Sequence, residues 1–363
     1  MRALRAPRAS RLARLVGGDA AVLAILLVVF LVTASRHSQF ATNQATGFGL
    51  FLLLACSMQL MLGFSNQASR MHAAVYGAGA YVAVELEAKA GVPPVVALLG
   101  ALAAGAVLGG LLALPLSRLR EHFFAMAALA AQVIFTQVFQ DLSGITGGVN
   151  GEATANPHLD SLPLLALILG VGFAVAAATR ALKASRLGRR VLALRADETM
   201  ARSVGVDIAR MRLVMVVLSF ALASGSGFFL VETSGYISPD SFTLTTSLAV
   251  LVAVIVGGRS LTWGALVGAG AYSALNGETT NDPGLSVLVL GIALVVVLAY
   301  LPEGITGFRL PAFLRRVRAQ DGDQRADAAG ERLHAGGEMA GAGDEQEASP
   351  SLARRVRASS AAD

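Results

Sequence analysis

Ser161 to Thr179 reads SLPLLALILGVGFAVAAAT, 19 residues without a charge. The next 33, RALKASRLGRRVLALRADETMARSVGVDIARMR from Arg180 to Arg212, carry nine positive and three negative side chains. The first stretch has the length of a helix that crosses a bilayer, roughly 17 to 25 residues. The second is of the kind retained on the cytoplasmic side of a membrane. Their junction therefore reads as a membrane span running into a cytoplasmic loop.

The same pattern extends in both directions. Charge-free runs cover Ala20 to Ser35, Ser38 to Ser69, Ala90 to Ser117, His122 to Gln140, Leu213 to Val231, Ser241 to Gly258, Ser260 to Gly277 and Pro283 to Pro302. With 55% hydrophobic and 15% charged residues over 363 positions, and a mean hydropathy of +0.62, the composition is not that of a soluble domain. An all-α, polytopic helical membrane protein follows, and secreted, fibrous and all-β architectures are excluded.

Charge sets the expected topology. Arg2, Arg5, Arg8, Arg11 and Arg14 precede the first run, placing the N-terminus inside. With Arg180 to Arg212 also inside, six crossings fit between them: 16 to 35, 44 to 63, 71 to 87, 93 to 117, 122 to 142 and 161 to 182. Four more, at 211 to 231, 243 to 258, 262 to 277 and 284 to 301, return the chain to the cytoplasm. Only Arg36 and Lys89 of the 29 Lys and Arg residues then fall outside. The outer loops instead collect Glu85, Glu87, Asp141, Glu152, Asp160, Glu232, Asp240, Glu278 and Asp282. The third crossing is charge-free only from Met71 to Val84 and is expected to be short or broken. The domains are a basic cytoplasmic N-terminus (1–15), a membrane domain (16–308) with a cytoplasmic loop at 184–210, and a cytoplasmic tail (309–363). From 319 onward that tail is mostly Ala, Gly, Asp, Glu and Arg with almost no large apolar residues, too poor in apolar surface to offset its ordering entropy, and is expected to be disordered. An alternative for the N-terminus is a signal peptide with Val32-Thr33-Ala34 as a weak cleavage site.

Several chemistries are disfavoured. The arginines flank apolar runs rather than interleave with aromatics, so the basic charge marks topology and not nucleic acid. A single cysteine, Cys56, precludes an intrachain disulfide. The five histidines (His37, His72, His122, His158 and His334) fall near span ends or outside, so a mid-membrane proton relay or metal site is not expected. Ser224-Gly225-Ser226-Gly227 has no base near it in sequence to activate a serine; close helix packing explains it, as it does Gly77 to Ala80 and Gly105 to Gly109. No Gly-x-x-x-x-Gly-Lys-Ser/Thr loop is present, so any ATP is handled by another chain. In the basic loop, Val191, Leu194, Ala201 and Val204 approximate one helical face, Arg190, Asp197 and Glu198 project elsewhere, and Gly205 is a natural stop. Such a helix suits insertion into a motor subunit; lying on the lipid surface is the alternative.

That loop, with Gly188-Arg189, Ala193-Leu194-Arg195-Ala196-Asp197, Ala201 and Gly205, resembles the cytoplasmic signature of permease subunits of branched-chain amino-acid ABC transporters of the LivM/LivH type. Three further segments agree in order. Gly63-Phe64-Ser65-Asn66-Gln67-Ala68-Ser69 through Gly77-Ala78-Gly79-Ala80-Tyr81 resembles the family's Gly-Tyr-x-Gly-Gln-x-Ser-Leu-Gly-His-Ala stretch and the glycines after it. Thr146-Gly147-Gly148-Val149-Asn150-Gly151 is similar to its Thr-Gly-Gly-x-x-Gly loop, and Val256-Gly257-Gly258 to Trp263-Gly264 to its late glycine motif. The departures bear on substrate: Ser-Leu-Gly-His becomes Ser69-Arg70-Met71-His72, Ser260 and Ala265 replace Gly and Pro, and Ala128 stands where Thr is frequent.

The resemblance implies a transport subunit of the inner (plasma) membrane, not an enzyme. It would import branched-chain or related amino acids and bind no cofactor itself, ATP being used by a partner. The implied partners are cytoplasmic ATP-binding subunits, a second homologous permease and an extracytoplasmic substrate-binding protein. The coupling residues implied are Gly188, Arg189, Arg195, Asp197, Glu198, Ala201 and Gly205. Broken helices offer N-terminal amides to a substrate carboxylate, so Ser65, Asn66, Gln67, Thr146, Gly147 and Gly148 are the path candidates; that these glycines only permit tight turns is the alternative for each. A motor-independent facilitator or channel for amides or urea is the second functional reading.

Overall fold

The computed structural model describes residues 22–35, 38–116, 121–153, 161–203, 205–258, 263–278 and 292. Apolar runs become helices because, without water, a backbone can satisfy its amides only internally. In chain order they are α1 (Val22–Ser35), α2 (Gln39–Ser65), α3 (His72–Val84), α4 (Pro94–Leu116), α5 (Glu121–Asp141), the single turn α6 (Ser143–Thr146) and α7 (Ser161–Ala184). Then come α8 (Arg186–Ala196), α9 (Glu198–Ser203), α10 (Ile208–Ser234), α11 (Leu244–Gly257) and α12 (Trp263–Glu278). A π-helical turn, Glu85–Lys89, extends α3. Two short strands, β1 (Glu152–Ala153) and β2 (Tyr236–Ile237), pair antiparallel with Glu152 opposite Ile237.

α10 lies at the centre of the bundle, against α2, α3 and α4. Its contacts are made by small residues that let backbones approach. Along α4, Ala97, Ala101, Gly105, Gly109 and Ala113 are buried at intervals of four, one stripe of a helix. A Cβ on Gly105 would strike the Phe220 carbonyl, one on Gly79 the Ser224 carbonyl, and one on Gly227 the Tyr76 carbonyl. Ser224 Oγ donates to Ala101 O at 2.6 Å. The stretch 224–227 is thus a packing surface, as its composition suggests. The far side of α4 presents Val95, Leu99, Val107 and Leu111, each at least 60% exposed.

Helices occupy nine of the ten expected spans among the described residues, but only five of them, within α2, α4, α5, α7 and α10, are long and apolar enough to cross a membrane. α1 and α11 are shorter apolar helices. α3 has 13 residues, about 20 Å of rise, and begins inside the bundle. The expected tenth span at 284–301, the basic N-terminus 1–15 and the tail 309–363 lie outside the described residues.

Two expectations need correction. The basic loop is not one helix to Gly205: Asp197 adopts an extended backbone (φ −157°, ψ 115°) and separates α8 from α9. Its Oδ1 accepts from Thr199 N at 2.8 Å and Met200 N at 3.0 Å, so the carboxylate competes with helix continuation and caps the next helix instead. His72 begins its own helix, but it is not at the edge of the protein. It is fully buried, level with Ser219, the twelfth residue of α10.

Candidate functional site

The discontinuity between α2 and α3 gathers the buried polar groups. α2 ends as Asn66 turns left-handed (φ 56°), its N–H returning to Leu62 O at 3.2 Å. Ser65 Oγ donates to Met61 O at 2.7 Å and lies 3.4 Å from Gln67 Oε1. Gln67 is 1% exposed, and its Nε2 has no hydrogen-bond partner. Ser69 Oγ accepts from Met71 N at 3.3 Å. Arg70 is partly buried and makes no hydrogen bond or ion pair with the described residues.

The following turn is capped from other helices. Ala73 N donates to Ser247 Oγ of α11 at 2.8 Å, and Ala74 N to Gln132 Oε1 of α5 at 3.0 Å. Ser247 Oγ donates to the same Gln132 oxygen at 2.8 Å, while Gln132 Nε2 donates to Phe242 O at 2.8 Å. Two of the amides that a broken helix would offer a carboxylate, those of Ala73 and Ala74, are therefore engaged by protein. Ser219 Oγ gives its one proton to Ser57 O at 2.7 Å, so the 3.0 Å contact from His72 Nε2 is donated by the ring. That leaves Nδ1 as a buried acceptor without a partner.

Thr146, Gly147 and Gly148 lie towards the opposite end of the bundle, and the structure does not bring them beside Ser65 to Gln67. Thr146 Oγ1 lies within hydrogen-bond reach of Phe139 O (2.5 Å) and Leu142 O (2.8 Å). Gly147, Gly148 and Gly151 have φ of 69°, 61° and 68°, a region that costs other residues. Tyr236, just past α10, donates to Asn150 O. Lys89 Nζ ties this end together, reaching Glu85 (2.5 Å), Glu152 (3.3 Å) and Gly144 O (3.2 Å). In the turn beyond α3, burial and the neighbouring Glu232 carboxyl push the Glu87 carboxyl up to about 7.

At the other end, α8 and α9 form a platform on the bundle. Val191, Leu194 and Ala201 are buried against Leu60, Phe64, Ile208, Met211 and Met215. Ser185 Oγ caps α8 by accepting from Gly188 N at 3.1 Å, and a Cβ on Gly188 would strike the Leu182 carbonyl. Arg195 turns inward and donates to Gly63 O, one of the terminal carbonyls of α2, where a cation is favoured. Glu198 pairs with Arg212 at 3.0 Å and Arg202 at 3.5 Å. Gly188, Arg195 and Ala201 thus face the bundle, whereas Arg189, Asp197, Glu198 and Gly205 are exposed, with Arg190 and Met200 beside them.

Sequence reasoning did not single out Gln132, Ser219, Ser247 or the burial of His72. Gln132, an amide in the middle of a helix that is apolar on either side of it from Phe123 to Phe135, was the readable signal; the two serines look like any small packing residue. Among the described residues, no group of three or more His, Cys, Asp or Glu could hold a metal ion.

A family model described as "Branched-chain amino acid transport system / permease component" matches residues 40–298. The chain belongs to this permease family. The LivM high-affinity branched-chain amino acid transport system permease protein of Salmonella typhimurium is 26% identical over 340 residues, covering 85% of this chain and 78% of that protein. Its Escherichia coli K12 counterpart is 27% identical, covering 83% and 78%. The ribose import permease protein RbsC of Escherichia coli K12 is 25% identical over 304 residues, covering 78% of this chain and 92% of that one. The permease is accordingly an integral membrane protein and a transport subunit of an ABC transporter. Its matched segment runs from α2 into the residues beyond α12, so it contains both the α2–α3 break and the α8–α9 platform.

Proposed function

We propose that the permease forms the translocation path of an ATP-driven importer for branched-chain or related amino acids. It works with a second homologous permease, cytoplasmic ATPase subunits and an extracytoplasmic binding protein in the plasma membrane. The α8–α9 platform carries this reading: one face is anchored on the bundle, the other presents Arg189, Arg190, Met200 and Arg202 to a partner. The ATPase docks there from the cytoplasm. Ser65 to Gln67 serve the path at the break, and Thr146 to Gly148 shape its opposite mouth. ATP-driven movement of the platform reaches the break through Arg195, which holds the end of α2.

Co-purification and uptake test this. Reversing Arg189, Arg190 and Arg202 to Glu lowers ATPase association about tenfold or more, and uptake falls with it. Arg195→Met keeps the ATPase bound but impairs uptake. Unchanged association and uptake in the triple reversal would remove the docking site. Uptake that persists without the ATPase would select the facilitator reading, which needs no such platform.

A further inference from the structure

Arg70 is the one place where the α2–α3 break carries a full charge. His72 is level with Ser219, eleven residues and about 16 Å of rise from the start of α10. Arg70 is two residues away, at most about 7 Å of chain. Its backbone therefore lies within the length of the bundle and not past its end. A charge at such depth is expensive unless something neutralises it, and no described residue does so. Among the described residues, every Asp and Glu sits near a helix end or in a connecting segment.

What Gln67 lacks is an acceptor. The Ala73 and Ala74 amides of α3 are already engaged by Ser247 and Gln132, but Gln67 Nε2, on a side chain 99% buried, has nothing to donate to. An unmade bond at a buried donor costs about 1–3 kcal/mol, so the site as it stands favours a ligand oxygen. The positive end of the α3 dipole adds to the same preference. A neutral zwitterion beside Arg70 leaves one uncompensated positive charge, whereas a ligand of net charge −1 leaves none.

We propose that Arg70 and Gln67 form a carboxylate-binding step in the path, and that the permease carries net-anionic carboxylates, acidic amino acids or acids without an ammonium group, in preference to neutral amino acids. This rests on the importer reading and moves its substrate class from neutral amino acids to anionic acids. Arg70 meets the carboxylate as it passes, and Gln67 donates the second hydrogen bond. The ring Nδ1 of His72 remains available to a donor on the same molecule.

The test uses the assembled transporter in proteoliposomes, with ATP-dependent uptake of glutamate, benzoate, leucine and urea as probes. The wild-type complex accumulates glutamate or benzoate in preference to leucine and urea. Arg70→Leu, which restores the residue typical of the family stretch, lowers the anion-to-leucine ratio by about tenfold or more, and Arg70→Lys retains the preference. If Arg70→Leu does not accumulate in membranes, Arg70→Gln is read in the same way. An unchanged ratio in the variant overturns the proposal. So does an equal loss for all four probes, which would mark Arg70 as a lipid-headgroup anchor, and so does a wild type that carries only leucine or urea, or none of the four. Anion uptake that proceeds without ATPase would break the importer reading while leaving the Arg70 ratio as valid a measure as before.

Discussion

The contact of α3 and α4 with α10, and the break where α3 begins, share helices yet are built from opposite chemistry. At the first, Gly79, Gly105, Gly227 and Ala101 remove side chains so that backbones touch. At the second, His72, Gln132, Ser219 and Ser247 supply side chains that satisfy one another across four helices. The first is held by van der Waals packing and tolerates no added volume. The second is held by hydrogen bonds and tolerates volume but not loss of polarity. A transporter has use for both: a rigid seam, and beside it a place where the membrane interior is polar.

The sharpest way to break the seam is Gly227→Leu. Its side chain would have to enter the Tyr76 carbonyl and the Ala80 amide, and we expect a loss of roughly 3 kcal/mol or more, read as failure to purify a folded species. Gly170→Ala, at a position with nothing within 4 Å, leaves thermal stability unchanged; equal effects from both would deny that close approach matters.

The polar side of the comparison is probed by Gln132→Leu. It keeps the volume near that of Gln but strands the Ala74 N–H, and costs about 1–2 kcal/mol in detergent unfolding. A fully stable variant would show that the cap is dispensable. Next in size is Asp197→Ala, which removes the carboxylate that starts α9. Loss of about 1 kcal/mol is expected, localised as faster amide exchange at Thr199 and Met200, with the seam protected as before.

The smallest effect belongs to Glu87. Its carboxyl is raised in the folded protein from 4.5 to about 7 by burial and by Glu232. The folded state therefore holds the proton more tightly, so this contribution to stability is complete below 4.5 and is lost as pH rises through about 7. Glu87→Gln should flatten the stability profile over that window. A profile unchanged by the substitution would assign the slope to other groups.

Much of the seam was legible beforehand. Gly77 to Ala80, Gly105 to Gly109 and Ser224 to Gly227 are small residues inside apolar runs, and small residues there have few uses other than packing. Val191 and Leu194 were legible as an apolar face because helical periodicity is local, but that this face and Ala201 of the next helix pack on the bundle was not; Val204, read as part of the same face, lies outside the described residues. The α8–α9 boundary was less so, since it depends on whether one Asp continues a helix or caps the next, and both readings fit Ala-Asp-Glu-Thr. The polar junction was not legible: Ser57, His72, Gln132, Ser219 and Ser247 come from five helices, their hydrogen-bonded pairs lie 115, 147 and 162 residues apart in sequence, and no spacing rule connects them.

Hydropathy and charge alone determined a helical membrane protein, where its helices run and which loop is basic, because the energy of a residue in lipid depends mainly on its own side chain. Tertiary structure decided that His72 lies mid-bundle, that the Ala73 and Ala74 amides of α3 are already taken, that Arg195 points inward and that Arg70 has no counter-charge among the described residues. Those outcomes depend on which helices meet at a given depth, and a hydrogen bond exists only when both partners arrive there.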